Sequence, residues 1–103
     1  AEYKHVALGL IFLKYISDRF NERRNEIASD QTIPDALRDE LLEEKDSYTA
    51  ESVFWVPEHA RWEYLKENAN STKPTIGELI DTAMLSIESE NPTLKGVLTK
   101  NYA

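Results

Sequence analysis

The fold turns on one stretch, Glu2–Ala28, EYKHVALGLIFLKYISDRFNERRNEIA. Val6, Leu13, Phe20 and Ile27 recur every seven residues, with Leu10 and Ile16 beside them, so a helix gathers all six on a single stripe. Leu8, Phe12 and Tyr15 carry the apolar surface further round the cylinder. A helix apolar on most of its circumference is expected at the centre of a domain, packed by several others. Gly9 lies on the main stripe and costs about 1 kcal/mol of helix propensity against Ala. The expected return is close approach of another backbone at that point.

Outward from this hub, ASDQTIPD breaks the period, and Pro34 fits the first turn of a second helix, with Asp35 favourable at its positive end. In ALRDELLEEK, Leu37 and Leu41 share a stripe with Leu42 alongside, as on a surface helix. DSYTAES reads as a loop. VFWV is β-branched and aromatic, hence extended, and four residues cannot make a sheet alone. Pro57 reads as the first residue of a third helix running through EHARWEYLKENA, with Trp62, Leu65 and Ala69 inward. NSTKP reads as a loop. Thr75 and Glu78 have the spacing of a capping box. The helix they start carries Ile76, Ile80, Ala83 and Ile87 on one stripe, flanked by Leu79 and Met84, and stops near Asn91 because the residue before Pro92 avoids helical angles. TLKGVL adds a short turn. The expected class is all-α: a compact bundle of four to five helices around the N-terminal one, with at most one short extended segment near 53–56. Residues 1–103 form a single domain.

Composition narrows the chemistry. Hydrophobic residues make up 41% of the 103, as in globular domains. Cysteine is absent and there are two histidines, His5 and His59, too few for a zinc site without several carboxylates. His5, near the start of the hub, reads as a structural histidine. The three glycines are scattered, so no Gly-rich loop cradles a nucleotide. Glu43–Glu44 and Glu88–Glu90 fall on solvated faces, where carboxylates are not tuned for acid–base work. Asn91-Pro92 is half of an Asn/Asp-Pro-Pro-aromatic amino-methylation motif, but Thr93 and Leu94 follow, so it reads as a helix stop. The apolar run Val6–Leu13 is far short of the roughly 20 residues that span a bilayer. A first residue other than Met, already inside a helical pattern, suggests a segment of a longer protein.

Net charge is −7, unevenly spread: residues 1–28 hold five basic and four acidic side chains, residues 29–103 seven and fifteen. An acidic whole disfavours autonomous binding to a polyanion. The basic set Lys14, Arg19, Arg23 and Arg24 offers phosphate contacts, yet the same spacing offers ion pairs of Lys14 with Asp18, Arg19 with Glu22 and Arg23 with Glu26. Lys95 and Lys100 leave the C-terminal end locally basic.

VFWVPEHARW, Val53–Trp62, holds both tryptophans. Core packing accounts for Trp55 and Trp62 on either side of Pro57, but not for the whole string. EYKHVALGLIFLKYISDRFNERR, VFWVPEHARWEYL and IGELIDTAMLSIESENPTLKGVL, in that order, closely resemble the N-terminal helical domain of the modification (M) subunits of type I restriction–modification systems. The resemblance covers nearly the whole chain; Ala28–Thr49 shows no family pattern, as a variable surface hairpin would. Phe54, Trp55, Pro57, Trp62, Ile76 and Gly77 are its structural signature. It implies a cytoplasmic, S-adenosylmethionine-dependent, adenine-specific DNA methyltransferase as the parent. Its partners would be a sequence-reading specificity (S) subunit, a second M subunit, the restriction subunit and duplex DNA, with no membrane. In that family the cofactor loop and the catalytic motif lie in the following domain, so this segment should carry no catalytic, cofactor or metal residue and should be inactive alone. The role implied for it is to help assemble and clamp the complex on DNA and to sense methylation state. Lys14, Arg23, Arg24, Arg61 and Lys95 are the candidate contacts to DNA or to another subunit. The rival reading is a helical adaptor or oligomerisation domain with no DNA role.

Overall fold

The computed structural model describes residues 2–70, 72–98 and 102; Lys100 lies outside them. All the regular secondary structure among the described residues is helical, with α1 at Glu2–Ser29, α2 at Asp35–Leu42, α3 at Asp46–Thr49, α4 at Trp62–Asn68 and α5 at Ile76–Glu90. Short 3-10 turns occupy Glu58–Ala60 and Pro92–Leu94. The 28 residues of α1 span about 42 Å at 1.5 Å per residue, most of the 49 Å long axis of the molecule.

The seven-residue stripe packs as its period predicts. Leu13, Ile16, Phe20 and Ile27 are buried and Val6 and Leu10 partly so, against Leu65 of α4 and Leu79, Ile80, Ala83, Met84 and Ile87 of α5. The far end of α1 is closed by an Asp30–Thr32 turn, in which the Asp30 carboxylate accepts from the Thr32 hydroxyl at 2.6 Å and its backbone N–H at 2.9 Å. Those two bonds hold the Asp30 carboxyl below its ordinary range. At α5 the capping box forms in full: Thr75 Oγ1 accepts from Glu78 N, and Glu78 Oε1 accepts from Thr75 N at 2.8 Å. Hydrogen bonding to the carboxylate from the Thr75 backbone, and then from its side chain, holds the Glu78 pKa below its ordinary value. We expect Thr75→Ala to cost about 1 kcal/mol, roughly 5 °C in Tm for a domain of this size, read by thermal melting.

Five expectations need correction. The hub is not covered all round: Leu8, Ile11 and Tyr15 are 64%, 64% and 68% exposed, because α2 to α5 reach the other faces. Close approach at Gly9 is by the ring of Tyr102, which would lie 2.7 Å from an added Cβ, and not by backbone. In α2, Leu41 and Leu42 turn toward the core and Leu37 remains exposed. DSYTAES contains α3, one helical turn that plants the fully buried Tyr48. Finally, the helix expected from Pro57 is broken. Residues 58–60 form a 3-10 turn, Arg61 is extended at φ −72°, ψ 144°, and only then does α4 begin; Ala69 is left outside it and exposed.

The break has a tertiary cause. The N–H of Trp62 donates to Ser17 Oγ, buried on α1, at 2.8 Å. A new helix start satisfies its free N–H on the hub instead of on its own preceding turn. VFWV is neither helix nor paired strand among the described residues, and the buried side chain of Asn91 serves the Trp55 backbone instead.

Candidate functional site

The string Val53–Trp62 and the middle of α1 meet in one aromatic and arginine cluster. Phe20 forms its floor. Tyr48 stacks on Phe20 at 4.6 Å between centroids, and Trp55 stands edge-on to both, at 5.5 Å and 5.2 Å. Offset and edge geometries of this kind suit the ring quadrupoles. Arg61 lies over the cluster, its guanidinium 4.8 Å from the Phe20 centroid and 5.6 Å from that of Trp55. Its Nε donates to the Val56 carbonyl at 2.9 Å. The extended backbone at Arg61, which sequence periodicity did not foresee, is what folds the side chain back onto these rings.

Two further arginines clip the α2–α3 hairpin to the hub. Arg24 donates to the Leu42 carbonyl at 2.9 Å and the Tyr48 hydroxyl at 3.4 Å, and pairs with Glu43 at 2.7 Å. The Tyr48 hydroxyl donates to the same Leu42 carbonyl at 2.7 Å. Arg23 Nε donates to the Ser47 carbonyl at 2.9 Å and its fork pairs with Glu26 at 3.2 Å. Partial burial penalises the charge on Arg24, but its bonds to Glu43 and Tyr48 outweigh that and raise its pKa. Arg61 moves the other way: desolvation, then the neighbouring positive charge of Arg24, lowers its pKa, with Glu43, Tyr48 and Glu58 partly offsetting. Charge is thus held firmly on Arg24 and less comfortably on Arg61, which has aromatic faces and no carboxylate within ion-pair distance among the described residues.

The candidate contacts divide accordingly. Arg24 and Arg61 share the cluster, with Arg23 at its rim. Lys14 sits elsewhere on α1, paired with Asp18 at 2.6 Å and 5.9 Å from the Trp62 ring. Lys95 is exposed in the turn beyond α5. All three ion pairs expected from helical spacing form, including Arg19 with Glu22 at 3.1 Å. Of the signature residues, Phe54, Trp55, Pro57, Trp62 and Ile76 are partly buried and Gly77 is buried in the first turn of α5. Trp62 is therefore less deeply placed than a core tryptophan.

Sequence reasoning passed over Ser17, Tyr48 and Tyr102. Ser17 had a signal: a hydroxyl between Leu13 and Phe20 on a buried stripe needs a partner from another element. Tyr48 and Tyr102 had none, since each lies in a stretch without periodicity. His5 proves to be a stacking partner, its ring 4.4 Å from that of Tyr102 and 11° from parallel. Among the described residues no group of three or more His, Cys, Asp or Glu is placed to hold a metal ion, and no helix is long and apolar enough to cross a membrane.

Against known proteins, residues 1–103 match the family described as the HsdM N-terminal domain. The chain is also 43% identical, over 111 aligned positions and 99% of its length, to the "Type I restriction enzyme MjaIX methylase subunit" of Methanocaldococcus jannaschii. That alignment takes in 20% of the relative, so the chain spans about a fifth of the curated subunit it matches.

Proposed function

The chain belongs to the HsdM N-terminal domain family, and from that premise we propose that it works as the helical N-terminal part of an S-adenosylmethionine-dependent, adenine-specific DNA methyltransferase subunit. In this reading it joins a cytoplasmic complex with a second M subunit, an S subunit and a restriction subunit, helps close that complex on duplex DNA, and contributes to sensing methylation state. The observation that carries the proposal is the relation itself: 43% identity running across 99% of the chain to a type I methylase subunit. S-adenosylmethionine and the transferred methyl group belong to the remainder of such a subunit, and the domain on its own is inert.

The candidate DNA contacts remain part of the proposal, with a constraint from geometry. Arg23 and Arg24 already spend several donors on Ser47, Leu42, Glu26 and Glu43. Phosphate contact would use the outward edges of their forks, alongside Lys14, Arg61 and Lys95. Phosphate contacts position a protein without specifying sequence. The test is an anisotropy titration of the assembled complex at several salt concentrations, with and without Arg23→Ala/Arg24→Ala. Each neutralised phosphate contributes about 0.9 to the salt slope, so the double variant should flatten it by up to roughly 2 and weaken all sequences alike. A melting curve of the variant domain guards against a trivial loss of fold. An unchanged slope would confine both arginines to their intradomain bonds. The isolated domain, at net −7, should bind duplex more weakly than about 10 μM at physiological salt.

A further inference from the structure

The uncovered flank of α1 is a second surface, separate from the arginine cluster. Leu8, Ile11 and Tyr15 follow one another at spacings of three and four, so they form one line along the helix, each about two-thirds exposed. The line does not stop at Tyr15. Tyr15 lines a recess of about 100 Å³ with Phe54 and Ser52, and those two residues also line an adjoining recess of about 340 Å³ that Val53 and Pro92 help to form. Ser52 sits at the junction with φ +60°, a left-handed conformation that an L-residue adopts only where its surroundings hold it. An apolar stripe leading into two shared recesses is a shaped surface, unlike singly scattered exposed leucines.

The position of Tyr102 indicates what covers it. Its ring stacks on His5 and fills the space above Gly9, and its N–H donates to Asp81 of α5 at 2.8 Å. His5 and Gly9 flank Leu8 on α1, so the last described residue is pinned at the edge of the stripe. In the relative, four-fifths of the subunit lies outside the matched region. We infer that the Leu8–Ile11–Tyr15 flank is the seat of the polypeptide that follows residue 103 in the longer methylase subunit, docked within the same chain. This rests on the family reading above. Tethering at the edge of the surface supplies a high effective concentration, so a small apolar patch suffices. A free partner needs about 800 Å² on each side, more than three side chains provide.

The domain has no cysteine, which makes the test direct. Ile11→Cys and, separately, Leu8→Cys are placed in the isolated domain and in the longer subunit with its other cysteines replaced by serine, and the rate of maleimide labelling is measured. Ala36→Cys, exposed on α2 and away from the flank, is the control. The expected result is at least about tenfold slower labelling at both flank positions in the longer subunit alone, independent of its concentration, and no change at the control. Equal rates in domain and subunit would overturn the inference. So would slowing that appears only when an S subunit is added, or that grows with concentration, since those outcomes place a separate partner or a second copy on the flank. Methyl transfer by the assembled, unsubstituted complex scores the family-level proposal independently of docking.

Discussion

Phe20→Ala should cost the domain about 3–5 kcal/mol, lowering Tm by roughly 15–30 °C, the largest loss expected from any single truncation. Phe20 is fully buried, stacks on the equally buried Tyr48, meets Trp55 edge-on and lies beneath Arg61. Truncation therefore removes transfer free energy, opens a cavity that rigid neighbouring rings cannot fill, and forfeits aromatic pairings worth about 0.5–1.5 kcal/mol each. It also withdraws one ring from a guanidinium whose charge is already poorly solvated. Total stability of a domain this size is typically about 5–15 kcal/mol, so the variant should stand close to unfolding at moderate temperature. Urea or thermal melting followed by circular dichroism measures it. A loss below about 1 kcal/mol would mean that the cluster is not the centre of the fold. Trp62→Ala supplies the internal comparison: the sequence places Trp62 inward beside Leu65, but Trp62 is only partly buried, and its N–H, which holds Ser17, survives the substitution. It should fall clearly short of Phe20→Ala.

That reordering shows where the sequence was readable. Periodicity found α1 and α5 because each buries a stripe long enough to repeat several times, and the Thr75–Glu78 box marked the start of α5 through bonds made within four residues. Local rules failed where a distant side chain decides the local backbone. Nothing between Pro57 and Ala69 reveals that Ser17, forty-five residues away, takes the Trp62 amide and moves the helix start past Arg61. Nothing in DSYTAES reveals that Tyr48 is held by a hub arginine and lies on a hub phenylalanine. The candidate arginines show the same division. Arg23's i, i+3 partner Glu26 was visible in the helical spacing, whereas the bonds of Arg23 to Ser47 and of Arg24 to Leu42 and Glu43 depend on how the hairpin packs. The exposed flank was misread for a related reason. An apolar stripe marks a face suited to burial, and does not say whether this domain supplies the cover.

Asn91 carries the second large effect, and for it the sequence named the right residue with an incomplete reason. As a helix stop before Pro92 it would be replaceable by any residue tolerant of extended angles. In the structure it is 4% exposed, and its amide accepts from Trp55 N–H at 3.1 Å while donating to the Trp55 carbonyl at 2.9 Å and the Ile87 carbonyl at 2.7 Å. One side chain thus does for Val53–Val56 what a neighbouring strand would do, and ties that segment to the end of α5. Asn91→Ala leaves the Trp55 N–H and carbonyl without their Asn91 partners in a partly buried place. At about 1–3 kcal/mol for each stranded group, partly relieved by water, we expect a loss of about 2–4 kcal/mol. Asn91→Asp separates hydrogen bonding from volume. An ionised carboxylate can still accept from Trp55 N–H but faces two carbonyl oxygens, so its folded-state pKa must rise above the ordinary value of about 3.9. For a group whose folded pKa is raised, the stabilising form is the protonated one. Its contribution is fully present below the unfolded pKa and is lost as pH rises through the folded pKa. The Asp variant should therefore be weakest near neutrality and should recover, relative to the parent measured at the same pH, on acidification toward pH 4. Melting both proteins across that range decides the matter: a pH-independent gap between them would show that Asn91 acts only as a space-filling helix stop.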